Sequence, residues 1–201
     1  MKLLLATTND HKAHEVRALL AGSGVELLTL RDHPEVPEPP ETGDTFEANA
    51  LQKARFVYNL LGVPVVADDS GLEVKALGGA PGVHSKRFNP EADPASPHAA
   101  NNALLLQRLE GISDRRARFR CVLALVAYEV ADTVSGSCEG HIAESPRGEG
   151  GFGYDPLFLP DELPDRTMAE ASLAEKNAIS HRGRAFQKLL GLLARHGLTD
   201  R

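Results

Sequence analysis

The stretch KLLLATTNDHKAHEVRALLAGSGVELLTL, residues 2–30, decides the fold class. Lys2 to Thr7 is a short apolar run of the kind a buried strand needs. From Asn9 the period changes: Val16, Leu19 and Leu20 fit one stripe of a helix, and Gly22-Ser-Gly24 ends it. Val25 to Leu30 is a second apolar run. A strand, a helix and a strand in that order favour an α/β fold with parallel neighbouring strands.

Working outward, HPEVPEPPETGD (residues 33–44) is a loop, because prolines do not sit inside helices or sheets. Phe46, Ala50, Ala54, Val57 and Leu61 then trace one face of a helix capped by Asp44 or Thr45. Val63 to Ala67 is the next strand, with Leu72 to Val74 as its continuation or hairpin partner. Residues 76–98 form a long irregular connection, followed by a helix carrying Leu105, Leu106 and Leu109. Ala117 to Val130 is a long strand, and Thr133 to Ile142 is antiparallel to it because the joint is too short for a crossover. The loop RGEGGFGYDP (147–156) follows, and Phe186, Leu189, Leu190 and Leu193 define a final helix.

At 201 residues the chain builds one good core, or one core with a small lobe. A formal charge of -6 argues against a general nucleic-acid or anionic-membrane binder, so an anionic substrate requires a local basic pocket or a metal. Two cysteines, Cys121 and Cys138, give no disulfide framework and no Cys-x-x-Cys. No run approaches the ~18 apolar residues of a membrane helix, and MKLLLATTNDHK reads as a first strand rather than a signal peptide. The expected compartment is the cytoplasm.

Five stretches carry chemistry. VVADDSG (65–71) sends an apolar strand into two adjacent carboxylates, Asp68 and Asp69, a costly pair unless a cation or an Asp-Ser-Gly turn compensates. ATTNDHK (6–12) brings Thr7, Thr8, Asn9 and Lys12 to a helix N-terminus, which suits phosphate, although the glycines of a Walker A loop are missing. PPETGDTF holds Glu41 and Asp44 on a loop from which a carboxylate can reach a metal. With the aspartates this makes two or three hard oxygen ligands, the donor set Mg²⁺ takes beside phosphates and water. GEGGFGYDP offers Phe152 or Tyr154 to stack on a base and Asp155 to accept a hydrogen bond. In AEKNAISHRGRAF, Ser180 as N-cap places His181 and Arg182 in a first helical turn, where the dipole disfavours cations unless an anion or polar ligand is near; Lys176 lies just upstream. A further Gly/Pro-rich stretch, LGGAPGVHSKRF, adds Lys86 and Arg87. His11 and His14 find no further ligands at zinc spacing, and no Gly-x-Ser-x-Gly elbow occurs.

Taken in order, these segments resemble the inosine/xanthosine triphosphate pyrophosphatase family over essentially the whole chain. The matching motifs are Thr7, Asn9 and Lys12; Glu41 to Ala50 with Lys53; Asp68 to Leu72; Leu77 to Gly82; Gly151 to Pro156; and Glu175 to Arg182. Each motif alone is weak, but six in order are highly specific. Two departures stand out: Thr8 where the family usually has glycine, and Pro40 where some relatives carry another acid.

The resemblance implies one domain, residues 1–201, with an elongated mixed sheet flanked by helices and two lobes around a central substrate cleft. It implies a homodimer that hydrolyses non-canonical purine nucleoside triphosphates (ITP, dITP, XTP) with Mg²⁺ to the monophosphate and pyrophosphate, water attacking the α-phosphorus. Asp69 is the implied general base and, with Glu41, the metal ligand. Thr7, Thr8, Asn9, Asp10, His11 and Lys12 are implied to hold the phosphates, with Lys53 nearby. Ser70, Phe152, Gly153, Tyr154, Asp155, Lys176, His181 and Arg182 are implied to bind substrate and base; among them His181 and Arg182, both donors placed where the helix dipole alone does not favour them, are the candidates to face a purine O6. Maf-like pyrophosphatases share the architecture but not the Ser-His-Arg and Phe-Gly-Tyr-Asp stretches. A non-catalytic nucleotide-binding regulator needs no Glu41, Asp68 and Asp69, and an RNA-binding module fits poorly with the acidic charge and few aromatics.

Overall fold

In the computed structural model, which describes residues 1–198, the elements alternate strand and helix through the first half of the chain. They are β1 (Lys2–Leu5), α1 (Asp10–Leu19), β2 (Glu26–Thr29), α2 (Phe46–Leu61) and β3 (Val65–Val74), followed by α3 (His98–Arg108), β4 (Arg116–Ala127), β5 (Val130–Ile142), β6 (Phe158–Pro160), α4 (Leu173–Ile179) and α5 (His181–Arg195). One mixed six-stranded sheet has the order β2-β1-β3-β4-β5-β6, with helices flanking it. The opening β-α-β unit is parallel as its sequence implies: Lys2 pairs with Glu26 and Leu5 with Thr29, while Leu4 and Leu5 pair with Val65 and Val66 on β3. Leu3, Leu4 and Leu5 are fully buried, which a parallel strand covered on both faces demands.

β3 departs from expectation. The Asp-Ser-Gly segment makes no turn; the strand runs unbroken for ten residues, and Leu72–Val74 is its continuation. β4 and β5 are joined through Tyr128 and Glu129 alone, a link that can only connect antiparallel neighbours. The short β6, not expected from sequence, pairs antiparallel to β5 with His141 opposite Leu159. α2 is capped by Thr45 rather than Asp44: its side chain accepts from the Ala48 N–H. The irregular connection 76–98 contains a 3₁₀ segment at Gly82–Arg87, and α3 begins earlier than its leucines suggest, at His98.

The residues group into two compact units. The first comprises Met1–Asp69, Cys121–Gly136 and the chain from Arg182 onward. Its core joins Leu3, Leu5, Val16, Val66, Leu123 and Phe186, so the apolar stripes of α1 and α5 cover apolar strands. The second comprises Ser70–Arg120 and Ser137–His181, with a core of Leu72, Leu105, Phe119, Ile142, Leu157 and Phe158. No described helix is long and apolar enough to cross a membrane.

Candidate active site

The first unit buries an unusual amount of charge. Asp68 and Asp69 sit mid-strand on β3 at 3% and 7% exposure, where two carboxylates need cations. Asp68 finds two. Its Oδ1 accepts from Lys12 Nζ at 2.7 Å and its Oδ2 from Arg182 Nε at 2.8 Å, with the Cys121 thiol 3.6 Å from the same oxygen. Arg182 is itself buried, and its Nη1 donates to Glu15 Oε2 at 2.5 Å. The two carboxylates hold its guanidinium well above its ordinary proton affinity against the opposing effect of burial.

Asp69 belongs to a second knot, built from α2. Lys53 Nζ donates to Asp69 Oδ1 at 3.0 Å, to Glu41 Oε1 at 2.9 Å and to the Asp68 carbonyl at 2.7 Å. Asn49 Nδ2 donates to Asp69 Oδ2 at 3.2 Å, while its Oδ1 accepts from the Gly43 N–H at 2.7 Å. Gln52 Oε1 accepts from the Thr42 N–H. Residues 52 and 53 each lie about one helical turn beyond residue 49, so α2 pins the Glu41 loop and the strand carboxylate together. Gly43 is needed here, because a Cβ would come within 2.7 Å of Ala48 Cβ. Burial raises the proton affinity of Asp69 above its ordinary value, and Lys53 offsets this only in part. Burial alone would lower Lys53, yet Asp69 and Glu41 raise it. Lys53 therefore stays charged, and Asp69 takes up a proton more readily than an exposed aspartate would.

The turn from β1 to α1 is a tight cap. Asn9 Oδ1 accepts from the Lys12 N–H, and Thr7 Oγ1 from the Asn9 N–H. Thr8, Asp10 and His11 are exposed, and Asp10 pairs with Arg31 on the surface. Glu129 and Asp165 are the described non-glycine residues with left-handed φ; Thr8 is not among them, so its backbone has no need of glycine.

The second unit brings two of the other expected residues, Phe152 and Lys176, to Asp155. Its Oδ2 accepts from Lys176 Nζ at 2.5 Å and from the Phe152 N–H at 2.8 Å. Lys176 Nζ lies 5.0 Å from the Phe152 ring centroid, a cation–π distance. Gly151 has φ +68°, and a Cβ there would overlap Asp155 Oδ2, so only glycine leaves room for that carboxylate. The Gly153 carbonyl accepts from Asn102, and buried Tyr154 donates to the Ser85 carbonyl. The His181 ring stacks on Phe119 at 4.8 Å and 15°. Ser70 is half-buried, and Lys86 and Arg87 are exposed at the end of their 3₁₀ segment.

Lys12, Glu41, Lys53 and Asp69 thus come together, joined by Asp68. In the second unit, Phe152, Asp155 and Lys176 come together. Arg182 lies in a first helical turn as expected, but the anions that offset the dipole are the protein's own Asp68 and Glu15. Glu15, Asn49, Gln52 and Cys121 were not expected in the site. Glu15 follows Lys12 by three residues on α1, the one local hint that both face the same way.

Glu41 and Asp69 present oxygens to a single cation, Lys53 Nζ. Two hard carboxylates on one cationic position suit Mg²⁺, which usually takes one or two carboxylates and completes its shell with water and phosphate oxygens. Among the described residues no group of three or more His, Cys, Asp or Glu is arranged to hold a metal, so an ion here requires ligands from a substrate or water.

Residues 3–192 match the model of the Ham1 family. A dITP/XTP pyrophosphatase of Exiguobacterium is 50% identical over 190 residues, covering 94% of this chain and 95% of that protein. Among solved structures, a HAM1 protein from Coxiella burnetii is 40% identical with a TM-score of 0.85, covering 97% of this chain and 99% of the other. A nucleoside-triphosphatase / dITP/XTP pyrophosphatase from Mycobacterium abscessus is 47% identical with a TM-score of 0.73, covering 94% and 99%.

Proposed function

Because the chain belongs to the Ham1 family and is a hydrolase, we propose that it hydrolyses non-canonical purine nucleoside triphosphates, ITP, dITP and XTP, to the monophosphate and pyrophosphate. The observation that carries this is the buried knot of Glu41, Lys53 and Asp69 beside the Lys12–Asp68 pair. It supplies both needs of α–β cleavage: positive charge for the phosphates and a carboxylate base for water.

Asp69 takes the proton from the attacking water. Its proton affinity, raised by burial, makes it a better base than an exposed aspartate. Asn49 and Lys53 each engage one of its oxygens and so fix the direction of its lone pairs. Lys12, with the backbone and side chains of Thr7 to His11 at the start of α1, binds the phosphates. Glu41 and Asp69 would hold Mg²⁺, which when bound neutralises phosphate charge and polarises the scissile anhydride. Arg182 contributes by fixing Asp68, since its Nε and Nη1 are engaged by Asp68 and Glu15. Phe152 offers a ring for the base, with Lys176, His181 and Ser70 as polar contacts and Gly153, Tyr154 and Asp155 shaping the loop. Residues 1–201 act as one functional domain, in a homodimer in the cytoplasm.

The test is product identity. Inosine triphosphate with Mg²⁺ should yield pyrophosphate and inosine monophosphate. Release of orthophosphate and the diphosphate would replace this reading with a γ-phosphatase.

A further inference from the structure

We infer that Lys53 competes with the divalent cation for Glu41 and Asp69, an inference that rests on the metal role proposed for those two carboxylates. An ammonium has three N–H donors. All three of Lys53's are matched: Glu41 Oε1 at 2.9 Å, Asp69 Oδ1 at 3.0 Å and the Asp68 carbonyl at 2.7 Å. The Lys53 side chain is 6% exposed, so its bonds to Asp69 and to the Asp68 carbonyl form with little water to screen them, while Glu41, 30% exposed, stays open to solvent and to an entering ion. Lys53 Nζ thus stands where the two carboxylates converge, the position a cation bridging them would take.

The charge balance of this knot gives the competition its direction. Glu15, Glu41, Asp68 and Asp69 face Lys12, Lys53 and Arg182: four negative charges against three positive. With Lys53 in place the knot is nearly neutral and attracts a free divalent ion weakly. A nucleotide changes the balance, because its phosphates bring both new ligands for the ion and a new anionic partner for the lysine. The ion is therefore taken up together with the nucleotide rather than ahead of it, and Lys53 passes from the carboxylates to the phosphates as it enters.

The experiment is Mn²⁺ binding without nucleotide, read by electron paramagnetic resonance of the free ion. Lys53→Met keeps the aliphatic stem and removes the charge. It should bind Mn²⁺ at least tenfold more tightly than wild type, and adding Glu41→Gln to it should abolish that gain. Lys53→Gln serves the same purpose if the methionine variant does not fold, thermal melting being the check. If Lys53→Met binds no more tightly while Glu41→Gln still weakens binding, the competition is overturned and the metal role of Glu41 survives. If Glu41→Gln changes nothing, the competition and the metal role fall together.

Discussion

Arg182→Met tests whether Arg182 organises the buried charge or reads the base. The guanidinium is about as buried as any side chain in the protein, and it joins two carboxylates from different elements, Asp68 on β3 and Glu15 on α1. Methionine fills much of the same space, so the loss is chiefly electrostatic. Removing one partner of a buried ion pair costs about 3–5 kcal/mol, because the charges left behind stay desolvated. For a chain of this size each kcal/mol moves Tm by roughly 2–4 °C, so a fall of about 6–20 °C is expected. Asp68 keeps Lys12, whereas Glu15 loses its guanidinium; Glu15→Gln in the same chain should therefore recover a large part of the loss. Calorimetry or urea unfolding of the two single variants and the double gives the coupling directly. A fall in Tm under about 3 °C, together with a changed preference between inosine and adenosine triphosphates, would refute the organising role and return Arg182 to the base.

The same geometry sets three other outcomes. Asp69→Asn keeps the shape but leaves one acceptor oxygen for the two donors Asn49 and Lys53, and it removes the base; turnover should drop by at least about 10²-fold with the fold intact, the scale of a lost general base. Gly151→Ala must displace Asp155 as well as bear the ~1–2 kcal/mol of a left-handed alanine, whereas Gly153→Ala bears only the latter. Steady-state kinetics should therefore show a KM for inosine triphosphate raised far more by the first than by the second. Glu175 is held down to about 2 from its ordinary 4.5 by Arg166 and by the Ser172 cap. Its contribution to stability is present above pH 4.5 and is lost as pH falls toward about 2, and Glu175→Gln should flatten that part of the Tm-against-pH curve.

Much of the fold is written locally. The change of period at Asn9 and the three- and four-residue spacing from Phe46 locate α1 and α2, because each helix must turn one stripe toward the strands. Ser70-Gly71 favours a turn on local chemistry, yet β3 continues through it to Leu72 and Val74, both fully buried and able to anchor the strand. β6 is three residues long, too short for any period to show. The site divides in the same way. Asp69 announces itself as a charge at the end of an apolar run, Lys12 as a cation beside a helix N-terminus and Glu41 as a carboxylate on a Pro-rich loop, whereas Lys53, in the middle of α2, is legible only through the family resemblance. Glu15, Asn49 and Cys121 do not, since a polar residue on a helix or strand looks solvated until the partner across the core is known. Arg182 carries a correct signal, an unfavourable charge in a first helical turn, whose compensation is internal to the protein.

In the proposed reaction water, activated at Asp69, attacks the α-phosphorus. Hydrolysis of inosine triphosphate in H₂¹⁸O, with mass analysis of both products after a single turnover, tests it most directly. The label should appear in inosine monophosphate and not in pyrophosphate; label in pyrophosphate would place the attack on the β-phosphorus and contradict the account.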